Sequence, residues 1–253
     1  MKSDGEKSTS SDRMVEINSL FDPNLRKHIK NKRCVAVIPV GSIEQHGAHL
    51  PISTDTDIVT EVAKRVAIKN KFLLVPTISL GVSYEHAPFF NLSIRNSTLS
   101  AILQDLCKSL TDNGIKDMFV INGHHGNQKA VKDFEKRMKK MGKNRIRIFS
   151  VSYWHFIKDE FDHAGFVETS LMLAISKNVK MNRAKKGLIT EGMSKKEITR
   201  LGSMASKSFP KVTKNGVWGD PTKATKEDGR ALLNEITKNI SKMCQTYLTG
   251  RKL

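Results

Sequence analysis

Residues 34–57 read CVAVIPVGSIEQHGAHLPISTDTD. The opening CVAVIPV is apolar and β-branched. It is too short for a buried helix and lacks the polar alternation of a strand with one wet face, so it reads as a strand covered on both sides. The chain then turns polar, and Glu44, His46, His49, Asp55 and Asp57 fall within fourteen positions. The carboxyl end of a buried strand is where open α/β sheets bind their ligands.

The same grammar continues outward. FLLVPTI (72–78), DMFVI (117–121) and IRIFSVS (146–152) are further short buried runs. Between and after them lie helical patterns at 55–69, 97–113, 127–141, 164–177 and 225–248. Strand–helix alternation of this kind predicts α/β architecture: a single-domain, three-layer αβα fold with a mostly parallel central sheet. Residues 1–20 read as a flexible lead-in and 21–253 as the domain. Residues 178–222 are rich in Lys, Gly and Ser, and are expected to form a long loop with a short helix near 194–200.

Composition narrows the function classes. The 253 residues are 38% hydrophobic, ample for one core, and no apolar run nears the roughly 18 residues of a membrane span. The N-terminus lacks the apolar stretch of a signal peptide. Cys34, Cys107 and Cys244 lie far apart with no CxxC, so free buried thiols in a reducing cytoplasm are expected. The net charge is +18; residues 129–147 carry nine Lys/Arg against two acids, and 177–214 eleven against two. With 6% aromatic residues and no nucleic-acid-binding motif, that surplus reads as a solvated face, with neither nucleic acid nor membrane as partner.

Four polar clusters follow the four strands: GSIEQHGAH, GVSYEHAPF, NGHHGN and, after a loop, FDHAGFVETS. Glu44 and His46, two apart on an extended segment, project to one side. With Asp55 they form a donor set suited to zinc, manganese or iron; the alternative for Asp55 is a helix cap. His124 and His125 sit in a turn framed by Gly123 and Gly126, and His163 and Glu168 open a helix. Ser83, Tyr84, Glu85, His86, His125 and Asn127 are candidates for shaping a substrate pocket. There is no GxSxG, Walker A, GxGxxG or HExxH motif.

These motifs, with the later NGVWGDPTKATKEDGRALL, occur in order from about residue 34 to 248. Together they resemble the creatininase (creatinine amidohydrolase) family. That family also includes archaeal formamide hydrolases acting on a pyrimidine nucleotide and a peptidase of mycofactocin maturation. The resemblance implies a homo-oligomeric amidohydrolase of C–N bonds with two divalent metal ions (zinc, iron or manganese) per subunit. Carried over by motif, Glu44 and His124 would bind one metal, His46 the other, and Asp55 would bridge. His163 matches a proton-shuttling histidine, and Glu168 a carboxylate near the metals.

One position departs. Creatinine-hydrolysing members carry a glutamate ligand two residues after the histidine matching His124, and here that position is Gly126. The expected substrate is therefore a small, phosphorylated formamidopyrimidine nucleotide of riboflavin or deazaflavin synthesis. Creatinine is the alternative, and a non-catalytic metal- or nucleic-acid-binding protein is the reading from another class. With no carboxylate from position 126, Glu168 is expected to join His46 as a ligand and to serve catalysis beside His163.

Overall fold

The computed structural model describes residues 16–31, 33–141, 146–158 and 162–250. Most of the lead-in expected over 1–20 thus lies outside the described residues. Strand β1 is Val35–Val40, β2 Leu73–Leu74, β3 Asp117–Asn122 and β4 Arg147–Ser152. They form one sheet in the order β2-β1-β3-β4, with every pair parallel. The expected second strand, 72–78, is regular only at its start. Pro76 has no N–H to give the ladder, although Val75 and Ile78 still donate to Val37 and Pro39.

Among the described residues seven α-helices surround the sheet: α1 Asp22–Asn31, α2 Thr54–Asn70, α3 Asn96–Asp112, α4 Gln128–Met141, α5 Phe166–Ile175, α6 Lys195–Ala205 and α7 Lys226–Leu248. Strand periodicity sorts the core into two layers. Val35, Val37, Phe119 and Ile121 point to one face, where α2, α5 and α7 pack. Ala36, Ile38, Val40, Met118 and Val120 point to the other, against α1, α3 and α4. All six residues of β1 are buried, so truncating a fully buried one such as Ile38 to alanine would cost about 2–5 kcal/mol. The three-layer αβα expectation holds.

Helix α1 was not anticipated. Its sequence DPNLRKHIKN is mostly polar, and it meets the core through Leu25 and Ile29, one turn apart. The helix near 194–200 is present and runs a turn longer, started by a capping box in which Ser194 and Glu197 satisfy each other's backbone N–H groups. Described Lys and Arg residues between 129 and 140 and between 177 and 214 are all exposed, as a solvated face requires.

Topology positions the site. From β1 the chain crosses by α2 to β2 on one side; from β3 it crosses by α4, on the opposite face, to β4 on the other. The sheet therefore has its switch point between β1 and β3, where a cleft opens at the strands' carboxyl ends. The register brings Val40, Asn122 and Ser152 level, so the loops carrying Glu44 and His124 leave at one height.

Candidate active site

Glu44, His46, Asp55, His124 and Glu168 converge above that switch point, each between 0% and 5% exposed. Asp55 is the second residue of α2, behind Ser53, so it is not the helix cap. His46 Nε2 lies 3.2 Å from Asp55 Oδ1 and 3.4 Å from Glu168 Oε2. His124 Nδ1 lies 3.0 Å from Asp55 Oδ2, and its Nε2 3.2 Å from Glu44 Oε2. Two groups suited to a metal emerge and share Asp55: Glu44–Asp55–His124 and His46–Asp55–Glu168. A third, Glu44–His46–His163, overlaps them.

The donor chemistry fits divalent cations. Glu44 Oε1, His46 Nε2 and Asp55 Oδ2 are buried without a hydrogen bond of acceptable geometry, despite the near approaches. Such atoms are aimed at a common point rather than at one another. Both imidazoles are anchored from behind on backbone carbonyls: His46 Nδ1–H on Glu44 (3.1 Å) and His124 Nε2–H on Val82 (2.9 Å). An anchor of this kind fixes the tautomer of a ligating histidine and aims its other nitrogen. Three carboxylates at 0–2% exposure also need a cationic partner to be tolerable. Burial disfavours imidazolium, yet Asp55 and Glu168 hold His46 up at about 10, and Glu44 and Asp55 hold His124 up at about 10. A cation at the same nitrogens balances the same charge.

Glu168 is held by backbone geometry. Ala164 has φ 51°, a left-handed conformation costing an alanine roughly 1–2 kcal/mol. Its N–H donates to Glu168 Oε2 at 2.7 Å. Burial lifts the Glu168 carboxyl to about 8, against the pull of His46. The same turn carries Asp162, whose Oδ2 caps α5 at Val167 N (3.0 Å), and His163, whose backbone pairs in both directions with Trp218. The NGVWGD stretch thus clamps the His163 backbone.

His163 Nε2 donates to the Gln45 carbonyl at 3.1 Å, leaving Nδ1 on the side of Glu44 Oε1, 3.9 Å away. Burial, with His46 and His86 nearby, pushes His163 well below the usual imidazole range, so it sits as a neutral base. Above the centre is a cavity of about 620 Å³. Phe209 and Ala205 wall one side, and His125, Gln128 and Lys129 the other. His125 stacks on Trp154, ring centroids 4.5 Å apart.

The pocket candidates divide. Glu85, His86 and His125 line the cavity, and Glu85 Oε1 comes within 3.7 Å of His124 Nε2. His86 is 3% exposed and turns its Nε2 to Glu44 Oε1 at 3.1 Å, so it supports the centre from the side. Ser83, Tyr84 and Asn127 do not line the cavity. Ser83 is fully buried against Ser42. Asn127 is consumed by backbone bonds to Val82 N and Gly41 O (both 2.9 Å). The Tyr84 side chain stands 55% exposed. His49 and Asp57, from the opening cluster, bond Thr169 and Ser53 instead. Residues that reading the sequence missed are Gln45, Asp162 and Phe209; Gln45 and Asp162 fell inside recognised motifs, where a glutamine carries no metal-ligand signal and Asp162 was overshadowed by His163 beside it.

Fold and site define a class: doubly wound α/β proteins with a buried carboxylate–histidine centre at the switch point. Within that class the chain matches the family model described as "Creatininase: Creatinine amidohydrolase" over residues 19–244. It belongs to the creatininase family and is a hydrolase acting on C–N bonds. A mycofactocin precursor peptide peptidase of Mycobacterium ulcerans (strain Agy99) is 32% identical over 226 residues, covering 85% of this chain and 86% of its relative. A 2-amino-5-formylamino-6-ribosylaminopyrimidin-4(3H)-one 5'-monophosphate deformylase of Methanosphaera stadtmanae is 30% identical over 113 residues, 44% of this chain and 48% of the deformylase. A solved structure named Creatininase Mn aligns with TM-score 0.75 at 22% identity, covering 90% of this chain and 96% of that one. At that identity the likeness speaks for the fold.

Proposed function

We propose that this chain is a binuclear metal-dependent amidohydrolase. The observation that carries the reading is the pair of donor groups that share Asp55 and leave buried polar atoms without hydrogen bonds. Glu44, Asp55 and His124 would hold one divalent cation, and His46, Asp55 and Glu168 a second. When bound, cations there supply Lewis-acid activation of water and of the amide carbonyl. The chain's own residues do the rest. His163, neutral with Nδ1 free, takes a proton and passes it to the departing nitrogen. Phe209 closes one wall and excludes water. His86 steadies the Glu44 carboxylate.

The substrate we favour is a formamide on a phosphorylated pyrimidine. The cavity, at about 620 Å³, exceeds what a bare formamide fills and suits a nucleotide-sized molecule. Lys129 and Gln128 at its wall offer polar partners to a distal anionic group. A peptide amide is the second reading, favoured by the similarity to the mycofactocin peptidase over 85% of this chain. The test is hydrolysis by chain reconstituted with manganese or zinc, on a formamidopyrimidine nucleotide, short peptides and creatinine. Formate release from the nucleotide supports the first reading and new peptide termini the second. Inactivity on all three with metal bound removes the catalytic assignment.

A further inference from the structure

Gln45 sits between the two histidines that flank Glu44. Its side chain is fixed by contacts at both ends of the amide. Gly47, at φ 63°, turns its N–H back onto Gln45 Oε1 at 3.0 Å. A side chain at Gly216 would begin 1.9 Å from that same oxygen, so the pocket around it is closed. With Oε1 fixed as the acceptor, Nε2 faces inward as the donor. It lies 3.0 Å from His86 Nδ1 and 3.1 Å from His163 Nε2. The Gln45 backbone carbonyl is also 3.1 Å from His163 Nε2.

These contacts set proton positions. An amide N–H facing His86 Nδ1 requires that nitrogen to be the acceptor, so the His86 proton sits on Nε2, toward Glu44 Oε1 at 3.1 Å. A carbonyl facing His163 Nε2 requires a proton there, leaving Nδ1 bare toward the cavity. We infer that Gln45 is a positioning residue that selects the tautomers of His86 and His163, turning the His86 N–H toward the Glu44 side and leaving the reaction its proton acceptor. The catalytic consequence rests on His163 being the acid–base group proposed above; the tautomer assignment does not.

The test is a sign reversal. In the zinc-loaded, 15N-labelled full chain, long-range nitrogen–proton correlation spectra should show His86 and His163 each as the Nε2–H tautomer. Gln45→Glu keeps the shape but turns the donor into an acceptor. His86 should then carry a proton on Nδ1, facing the new carboxylate. Gln45→Met removes the polar group and should leave His86 a mixture of tautomers. In both variants kcat should fall roughly 10–100-fold, the usual cost of losing an outer partner of a metal site, with KM changed less than about threefold. If either variant folds and His86 keeps its Nε2–H tautomer, the inference is overturned. Correct tautomers in a wild-type protein inactive on every amide would leave this inference standing and remove the catalytic reading alone.

Discussion

Replacing Glu168 by glutamine preserves shape and removes only the ability to carry negative charge toward His46. The side chain is 1% exposed, and Oε2 takes the Ala164 N–H at 2.7 Å while facing His46 Nε2 at 3.4 Å. A glutamine oxygen still accepts from Ala164. Burial already lifts the wild-type carboxyl to about 8, so with no cation bound the group is largely neutral at pH 7, and the substitution barely changes charge. The unfolded wild-type carboxyl is ionised at pH 7 and must gain a proton on folding, which glutamine need not do, so metal-free stability at pH 7 should rise in the variant. The metal-loaded protein should respond differently. A cation at a hundred times its Kd adds about 2.7 kcal/mol, and losing a direct ligand should weaken binding beyond the roughly 10–100-fold seen for outer partners. Thermal unfolding with and without zinc, beside a metal count on dialysed protein, reads both quantities. One cation per chain should remain, the zinc-dependent rise in Tm should shrink, and hydrolysis should fall at least about 100-fold. A Glu168→Gln protein that keeps two cations and the full rise would refute the ligand assignment. The raised pKa also has a sign. Folded Glu168 keeps its proton to about 8 against a reference of 4.5, so metal-free stability should fall as pH rises through that window. Glu168→Gln should flatten the slope.

A Cβ at Gly126 would lie 1.9 Å from the Val82 carbonyl, so Gly126→Ala should lower the urea-derived stability by about 1–3 kcal/mol, and an unchanged midpoint would contradict the packing. For the same reason Gly126→Glu should not confer creatinine hydrolysis, measured as creatine release. Burial, with His46 beside it, holds His49 down at about 4, while the unfolded chain protonates it near 6.5. Stability should therefore drop as pH falls from 6.5 to 4, and His49→Asn should lessen that drop in acid-unfolding curves. Lys129→Ala should raise KM for a phosphorylated substrate and leave its dephosphorylated analogue unaffected; equal effects on both would remove Lys129 from phosphate recognition.

What the sequence made legible follows from which residues carry a local signal. β1 and β3 are unbroken buried runs, β4 is a half-buried edge run of β-forming residues, and α2 and α3 repeat apolar residues at helical spacing, so the sheet and its layers could be read directly. α1 could not, because Leu25 and Ile29 are too few to establish a period among charged neighbours. The donor residues were legible because Glu, His and Asp in glycine-framed loops at strand ends are chemically conspicuous. Gln45 was not: its function lies in contacts with His86 and His163, far along the chain, and in the orientation of an amide. Phe209 comes from an irregular segment whose packing on those histidines, at 4.7 Å from each ring, is a purely tertiary fact. Polarity beside a motif does not reveal whether a side chain turns toward the cleft, the solvent as Tyr84 does, or the backbone as Asn127 does.

The split of the sheet between β1 and β3 separates two tasks that many enzymes entangle. The donor groups stand at or near the ends of regular elements whose register is locked by the ladder, while much of the cavity wall comes from the segment around α6 and its following turn. Walls and floor can therefore diverge independently. Random replacement confined to residues 198–211 should yield chains that keep their metal content yet differ in the amide they accept. The cleft itself is a product of strand order, so it persists whatever those walls become. A scaffold so divided lets peptide, nucleotide and small-ring amides be exchanged among relatives without rebuilding the chemistry beneath them.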